Sequence, residues 1–414
     1  MQSKRQPILF VTAFTMFFGL LATATSTFAE SSPQVLYNFG AGTDGYNPVA
    51  GLILDAAGNL YGTTQDGGAY GGPGYGTVFE LSPNADGTWT ETVLHSFGNG
   101  TDGSSPQTSL IFDGDGNLYG TTPKGGTYGK GTIFRVAPGS DGAWAETVLH
   151  SFTGGGDGSE PGSPLTIDPA GNLYGTTEVG GAYTFGTAFE LSPGKNGGWT
   201  ETVLHSFSHN GKDGYSPRTG LTFDAAGNLY GTTFKGGTYD KGCPEGGGGC
   251  GTVFKLSPGA KGKWTETLLH SFQFNATDGR YPDGALAFDA GGSLYGTTSF
   301  GGRFGYGTIF QLMHGKKGAW PETTLIAVNG GGRPNGPLLF DAAGNLYGTV
   351  GPGHNPGVIF KLTFINGKWT EDAAWGLSEG FPSPGPILDA AGNIYDTDYT
   401  GGSYTYGIVF EIAQ

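Results

Sequence analysis

Short apolar–polar runs, separated by turns rich in Gly, Asp and Asn, recur along this chain, and no 3.6-residue helical period competes with them. Residues 109–152 show the unit. Within it, residues 109–112, 117–122, 131–136 and 144–152 are rich in β-branched and aromatic side chains, and each reads as a strand. Between the first two, residues 113–117 form a tight turn in which Asp113 accepts backbone N–H groups and Gly116 supplies a positive φ. The spacing predicts four strands, a to d, in each copy, which is the make-up of a propeller blade.

An Asp-x-x-Gly-Asn-Leu-Tyr type of segment marks seven copies, beginning at Asp55, Asp113, Asp168, Asp224, Asp289, Asp341 and Asp389. Separations of 58, 55, 56, 65, 52 and 48 residues indicate a propeller or a solenoid. The two ends of the chain decide between them. Val35-Leu36-Tyr37-Asn38-Phe39 matches a fourth run (Val93-Leu94-His95-Ser96-Phe97), whereas the last copy stops at Phe410-Glu411-Ile412, a third run. One copy is thus split between the ends, and a ring uses such a split to pair edges that an open solenoid leaves exposed. The expected fold is all-β: a seven-bladed β-propeller of four-stranded blades over residues 30–414, closed by the N-terminal strand completing the last blade.

The 82 glycines and 24 prolines would suggest low complexity without that period; with it they are turn residues. A net charge of −15 argues against nucleic acid as a partner and suits an exported protein or one that binds cations or neutral sugars. Lys4 and Arg5, an apolar run from Ile8 to Leu21 and the small residues up to Ala29 have the layout of a secretory signal peptide at residues 1–29. That run of about 14 residues is shorter than the roughly 20 a membrane span needs. The protein is expected to be secreted or periplasmic after cleavage behind Ala29, with no membrane span, as a monomer.

The recurring Gly-Asn-Leu-Tyr-Gly-Thr-Thr, Gly-Gly-x-Tyr, Gly-Thr-Val-Phe-Glu-Leu and Trp-Thr-Glu-Thr-Val-Leu-His-Ser-Phe segments resemble the GloVer tandem-repeat family of secreted bacterial proteins, over nearly the whole mature chain. The resemblance implies an extracytoplasmic repeat protein of unassigned activity. Members of that family differ in their C-terminal anchor; here Gln414 follows the last strand directly, which favours release. The Asp-x-x-Gly-Asn-Leu-Tyr element is more loosely similar to propeller repeats of lactonases and streptogramin lyases, and no catalytic residue carries over from them.

Several residue sets are candidates for chemistry. The fourth-run histidines His95, His150, His205 and His270 are replaced by Tyr37, Ile326 and Trp375 in other copies, so packing explains them better than a metal site, which needs converging ligands. Asp113-Gly114-Asp115-Gly116-Asn117 resembles the start of a calcium loop but has Leu118 and Lys124 where Gly and Glu are needed, so turn capping is preferred and calcium remains the one cofactor considered. Glycine-rich stretches such as residues 125–131 join strands and open no helix, which argues against phosphate binding. Cys243 and Cys250 most simply form a disulfide in an exported chain; a metal pair would have to recruit His209, Asp240 or Glu245.

The d-to-a and b-to-c loops should share one face. There Asp44, Asp102, Asp157, Asp213 and Asp278 stand with Tyr70, Tyr128, Tyr183, Tyr239, Phe304 and Tyr404, a surface suited to sugars or a peptide, although turn chemistry alone also accounts for these residues. His354, Asp396 and Asp398 break the repeat in the last two copies and form a candidate acid/base or cation site, set against simple divergence of terminal repeats. Two functions follow: a secreted binding or scaffolding propeller that recognises an extracellular carbohydrate or protein, preferred because the a strands read as small and apolar, or a hydrolase or lyase acting on a carbohydrate or lactone.

Overall fold

Strand b carries Leu-Tyr-Gly-Thr-Thr in most copies, and in the computed structural model every residue of that segment is buried in blades 1 to 5. A strand covered on both faces must lie inside a sheet that is itself packed between two others. The structure describes residues 32–414 apart from 41, 239–242, 244–247, 352–356, 378–379 and 384; the expected signal peptide lies outside the described residues.

Each blade is an antiparallel sheet in the order a-b-c-d. In blade 3 these strands are Thr166–Ile167, Leu173–Thr177, Thr187–Pro193 and Trp199–Ser206. The expected runs of blade 2 are found at Ile111–Phe112, Leu118–Thr122, Thr132–Pro138 and Trp144–Ser151. Strand a is thus two residues long, shorter than its apolar run. Between c and d the register slips by one residue, so that Ala188 faces His205 while Phe189 faces Val203; such a bulge bends the outer strand.

Seven apolar clusters fill the seams between successive blades. The first joins Tyr61 and Val78 to Leu110 and Phe134, and the seventh joins Tyr395 and Val409 to Leu52 and Phe79, so the last blade packs on the first. Strand Gln34–Asn38 pairs with Ile408–Ile412 and supplies the outer strand of that blade. This is a seven-bladed β-propeller closed by its N-terminal strand. Among the described residues only two 3-10 turns, Ala260–Gly262 and Lys316–Gly318, are helical.

Two small devices repeat around the ring. The second-last Thr of strand b donates from Oγ1 to a carbonyl of the next blade, as from Thr63 to Thr108, Thr121 to Ser163, Thr176 to Thr219 and Thr397 to Pro48. Prolines that precede strand a sit against glycines that precede strand c of the blade before; a Cβ on Gly186 would fall 2.7 Å from Pro217 Cδ, and one on Gly131 2.5 Å from Pro161 Cδ. Only glycine fits there.

Candidate functional site

The d-to-a and b-to-c loops do share a face, because they pair with each other: Gly103–Ser104 with Lys124–Gly125, Gly214–Tyr215 with Lys235–Gly236, and Tyr46 with Asp66. The loop aspartates turn inward. Asp44, Asp102, Asp213 and Asp278 are buried, and each accepts a backbone N–H from its own loop, as Asp157 also does. Each also lies beside the strand-d residue that precedes it: Tyr37 donates to Asp44 at 3.1 Å, and His95, His150, His205 and His270 stand 3.3, 3.5, 3.1 and 3.6 Å from Asp102, Asp157, Asp213 and Asp278. His95 and His205 therefore clasp a loop by a hydrogen bond, His150 and His270 stand beside theirs, and each ring is edge-on to the phenylalanine two residues on. Burial holds His95 and His150 below the usual imidazole range in spite of the aspartate.

Behind each aspartate stands a glutamate from strand d of the following blade. Glu91, Glu146, Glu201, Glu266 and Glu322 are pushed up to about 7, first by burial and then by Asp44, Asp102, Asp157, Asp213 and Asp278 respectively.

The loop aromatics turn outward. Tyr70, Tyr128, Tyr183, Phe304 and Tyr404 occupy equivalent b-to-c loop tips and are 51, 58, 58, 43 and 52 % exposed. Tyr239 and His354 lie outside the described residues. Asp396 and Asp398 are wholly buried within blade 7. Asp398 Oδ1 accepts N–H groups from Phe381, Thr400 and Gly401 and so ties two loops together. Asp396 stands where other b strands have glycine; it accepts the Thr397 N–H, its one hydrogen-bond partner among the described residues, and burial drives its carboxyl well above the usual range.

On the opposite face the turn aspartates use both oxygens locally. Asp113 Oδ1 accepts the N–H of Asp115 and Asn117, and Oδ2 accepts the Asn117 amide and the Tyr119 hydroxyl. Two open clefts of about 910 and 1060 Å³ run between these turns in blades 4 to 6, floored by Trp320 and Trp369. Cys243 and Cys250 form the expected disulfide, with Cα atoms 5.6 Å apart, in the seam between blades 4 and 5; such a bond belongs to an oxidising, extracytoplasmic setting. Among the described residues no helix is long and apolar enough to cross a membrane.

The reading of the chain missed a second group, at the mouth of the central axis. Segments leading into strand a abut between neighbours: a Cβ on Gly284 would meet the Gly336 carbonyl oxygen at 2.0 Å, and one on Gly220 that of Pro164 at 3.1 Å. They form the inner ring. Just above it, Asn47, Ser105, Glu160, Ser216 and Tyr281, each before a proline, hold φ between 57° and 58°, a left-handed setting rare outside glycine. The side chains of Ser105, Ser216 and Tyr281 reach back to the preceding blade. Ser216 Oγ donates to Glu178 Oε1 at 3.0 Å, and Tyr281 stacks on Phe234 at 5.0 Å. Arg218 donates twice to the same Glu178 oxygen, at 2.9 and 2.6 Å, and lies 4.2 Å from the Phe234 ring centre. Half-buried Asp283 receives the Ser299 hydroxyl at 3.2 Å. Burial raises its carboxyl above the usual range; Arg218 and the Ser299 hydrogen bond oppose this and Glu178 adds to it. The signal was present in the sequence as repeat positions that fail to repeat.

Fold and site together define a repeat-built β-propeller with one loop-bearing face. The chain belongs to the Gloeobacter/Verrucomicrobia repeat family, whose pattern matches residues 20–244 and 243–410. No curated protein matches its sequence. Among solved structures it is similar to a protein provisionally assigned as a 6-phosphogluconolactonase from Bacteroides uniformis, at 15% identity over 72% of this chain and 82% of that one, with a TM-score of 0.46. It is similar also to a gluconolactonase from Xanthomonas campestris (15% identity, 73% and 84%, TM-score 0.42) and to a Lactobacillus plantarum protein (15%, 81% and 92%, TM-score 0.49).

Proposed function

We propose that this protein is an exported recognition propeller that binds carbohydrate through the aromatic tips of its loop face. One observation carries the reading: five aromatic rings, at equivalent places in blades 1, 2, 3, 5 and 7, are each between 43 and 58 % exposed while the aspartates beside them are turned inward. Rings held out half exposed on one face suit stacking against sugar faces, and their repetition suits an extended chain that meets several at once. Titration calorimetry with a panel of soluble polysaccharides tests this. A binding polysaccharide should lose about fivefold in affinity in Tyr128→Ala and more in the Tyr128→Ala, Tyr183→Ala double variant. Absence of binding to every polysaccharide, or affinities unmoved by these changes, would remove the reading and leave a protein ligand as the next candidate.

A second reading, a hydrolase or lyase, draws support from the axial mouth, where Asp283 is held toward its protonated form near the arginine-paired Glu178. Turnover of a sugar or lactone that is lost in Asp283→Asn would favour it.

A further inference from the structure

In a ring of near-copies, residues that hold the fold recur, and those that do not recur make one blade differ from the next. The axial mouth is where recurrence fails. The residue after the repeated proline is Val49, Gln107, Gly162, Arg218, Asp283, Asn335 and Ser383 in blades 1 to 7, and the residue before it becomes Arg333 in blade 6. The charged residues at these two positions, Glu160, Arg218, Asp283 and Arg333, are therefore gathered on the arc formed by blades 3 to 6.

Charge on this arc is only partly neutralised. Arg218 is paired with Glu178. Arg333 is not: it is exposed, its guanidinium carbon lies 3.9 Å from the centre of the Phe300 ring, and among the described residues no carboxylate comes within ion-pair distance. Arg280, directly opposite Phe300 in the strand pairing, has Nε and Nη1 buried without a hydrogen-bond partner and lies 5.8 Å from the same ring. Two guanidinium groups thus lie near the Phe300 ring, at 3.9 and 5.8 Å, with Arg280 nearer still to Phe274 at 4.9 Å, and among the described residues neither has a carboxylate at ion-pair distance, in a chain whose net charge is −15. A guanidinium stacked on a ring leaves its N–H edge open, and that planar fork fits a carboxylate.

Acceptors stand beside it. Asn335 is two residues from Arg333 on strand Arg333–Phe340, hence on the same side, and its Oδ1 is buried without a partner. Asp283, on the neighbouring blade, keeps one carboxyl oxygen beyond its Ser299 contact. Stacked Phe234 and Tyr281 border the same mouth. Cation, hydroxyl acceptors and aromatic face together match an acidic sugar better than a bare anion, which would have no use for the acceptors.

We propose that the axial mouth binds a carboxylate-bearing sugar, with the carboxylate on Arg333 and ring hydroxyls received by Asn335 and Asp283. This site is separate from the aromatic loop tips and does not depend on them. The test is titration calorimetry of the whole chain with galacturonate and its short oligomers, against galactose and inorganic phosphate. The acidic sugar should bind at least about tenfold more tightly than galactose and than phosphate. Arg333→Gln should lose about tenfold or more, Arg333→Lys less, and Tyr128→Ala nothing, with thermal midpoints unchanged because Arg333 is exposed. Galactose or phosphate binding as tightly as galacturonate, binding unmoved in Arg333→Gln, or no binding of the acidic sugars would overturn the proposal. Since the loop tips are probed by Tyr128→Ala and the mouth by Arg333→Gln, either site can fail without the other.

Discussion

A carboxylate in a turn and a carboxylate in a seam, opposite in pH response, set the residue-scale behaviour of this ring. Asp168 caps its turn with hydrogen bonds from the Ala170 and Asn172 N–H groups, the Asn172 amide and the Tyr174 hydroxyl. Burial alone would raise its carboxyl, but these bonds win and hold it below the ordinary range. A depressed carboxyl contributes stability that is present above the unfolded value and lost as pH falls. Asp168→Ala should cost about 2 kcal/mol in urea unfolding at pH 7, with a smaller loss at pH 3. Glu201 behaves the other way. With its carboxyl raised from 4.5 to about 7, the folded state holds more protons than the unfolded one between those values, so stability falls as pH rises through that window. Glu201→Gln should therefore raise the thermal midpoint at pH 8 and leave it nearly unchanged at pH 4. The turn was legible from sequence because its bonds run only two to six residues along the chain. The histidine clasp was not: the loop must curl back before His205 meets Asp213, and spacing alone does not say that it does.

Strand b shows how one element fixes what its neighbours can be. A Cβ on Gly175 would meet Phe189 Cζ at 2.7 Å and Leu165 Cδ2 at 3.0 Å, and the same contacts recur at Gly62, Gly120, Gly231, Gly296 and Gly348. Gly175→Ala should destabilise by about 1–3 kcal/mol through overpacking, measured by chemical denaturation. Blade 7 departs from this: Asp396 takes the glycine's place while Pro386 stands where the other blades have the leucine, or its counterpart, that the added side chain would strike. The break in the repeat at Asp396 was visible in the sequence, but its burial was not, since only the packing of b against a and c determines where a strand-b side chain goes. The axial group was missed for a related reason. The a strands were read as small and apolar, which left their surroundings unsearched; Arg218 and Asp283 lie just before them, and Arg333 and Asn335 open the longer strand Arg333–Phe340 of blade 6, positions whose differences look like noise until the inner ring brings them together.

At the scale of the molecule, ring closure rests on one five-residue strand. Gln34–Asn38 covers the edge of Ile408–Ile412, and Phe39 is buried in the seam between blades 7 and 1. Deleting residues 32–39 should lower the thermal midpoint and expose a strand edge, giving concentration-dependent association in sedimentation, whereas removing Ala413 and Gln414 should do neither. The split copy made this closure readable from sequence, because a fourth run at one end and a missing fourth run at the other have one economical solution. Which face carries recognition is a property of the whole ring. Hydrogen–deuterium exchange with and without a bound polysaccharide measures it directly. Protection is expected at the b-to-c loop tips around Tyr70, Tyr128, Tyr183, Phe304 and Tyr404, with none at the turns led by Asp113 or Asp168; protection confined to those turns or to the Trp320 and Trp369 clefts would contradict recognition by the loop face.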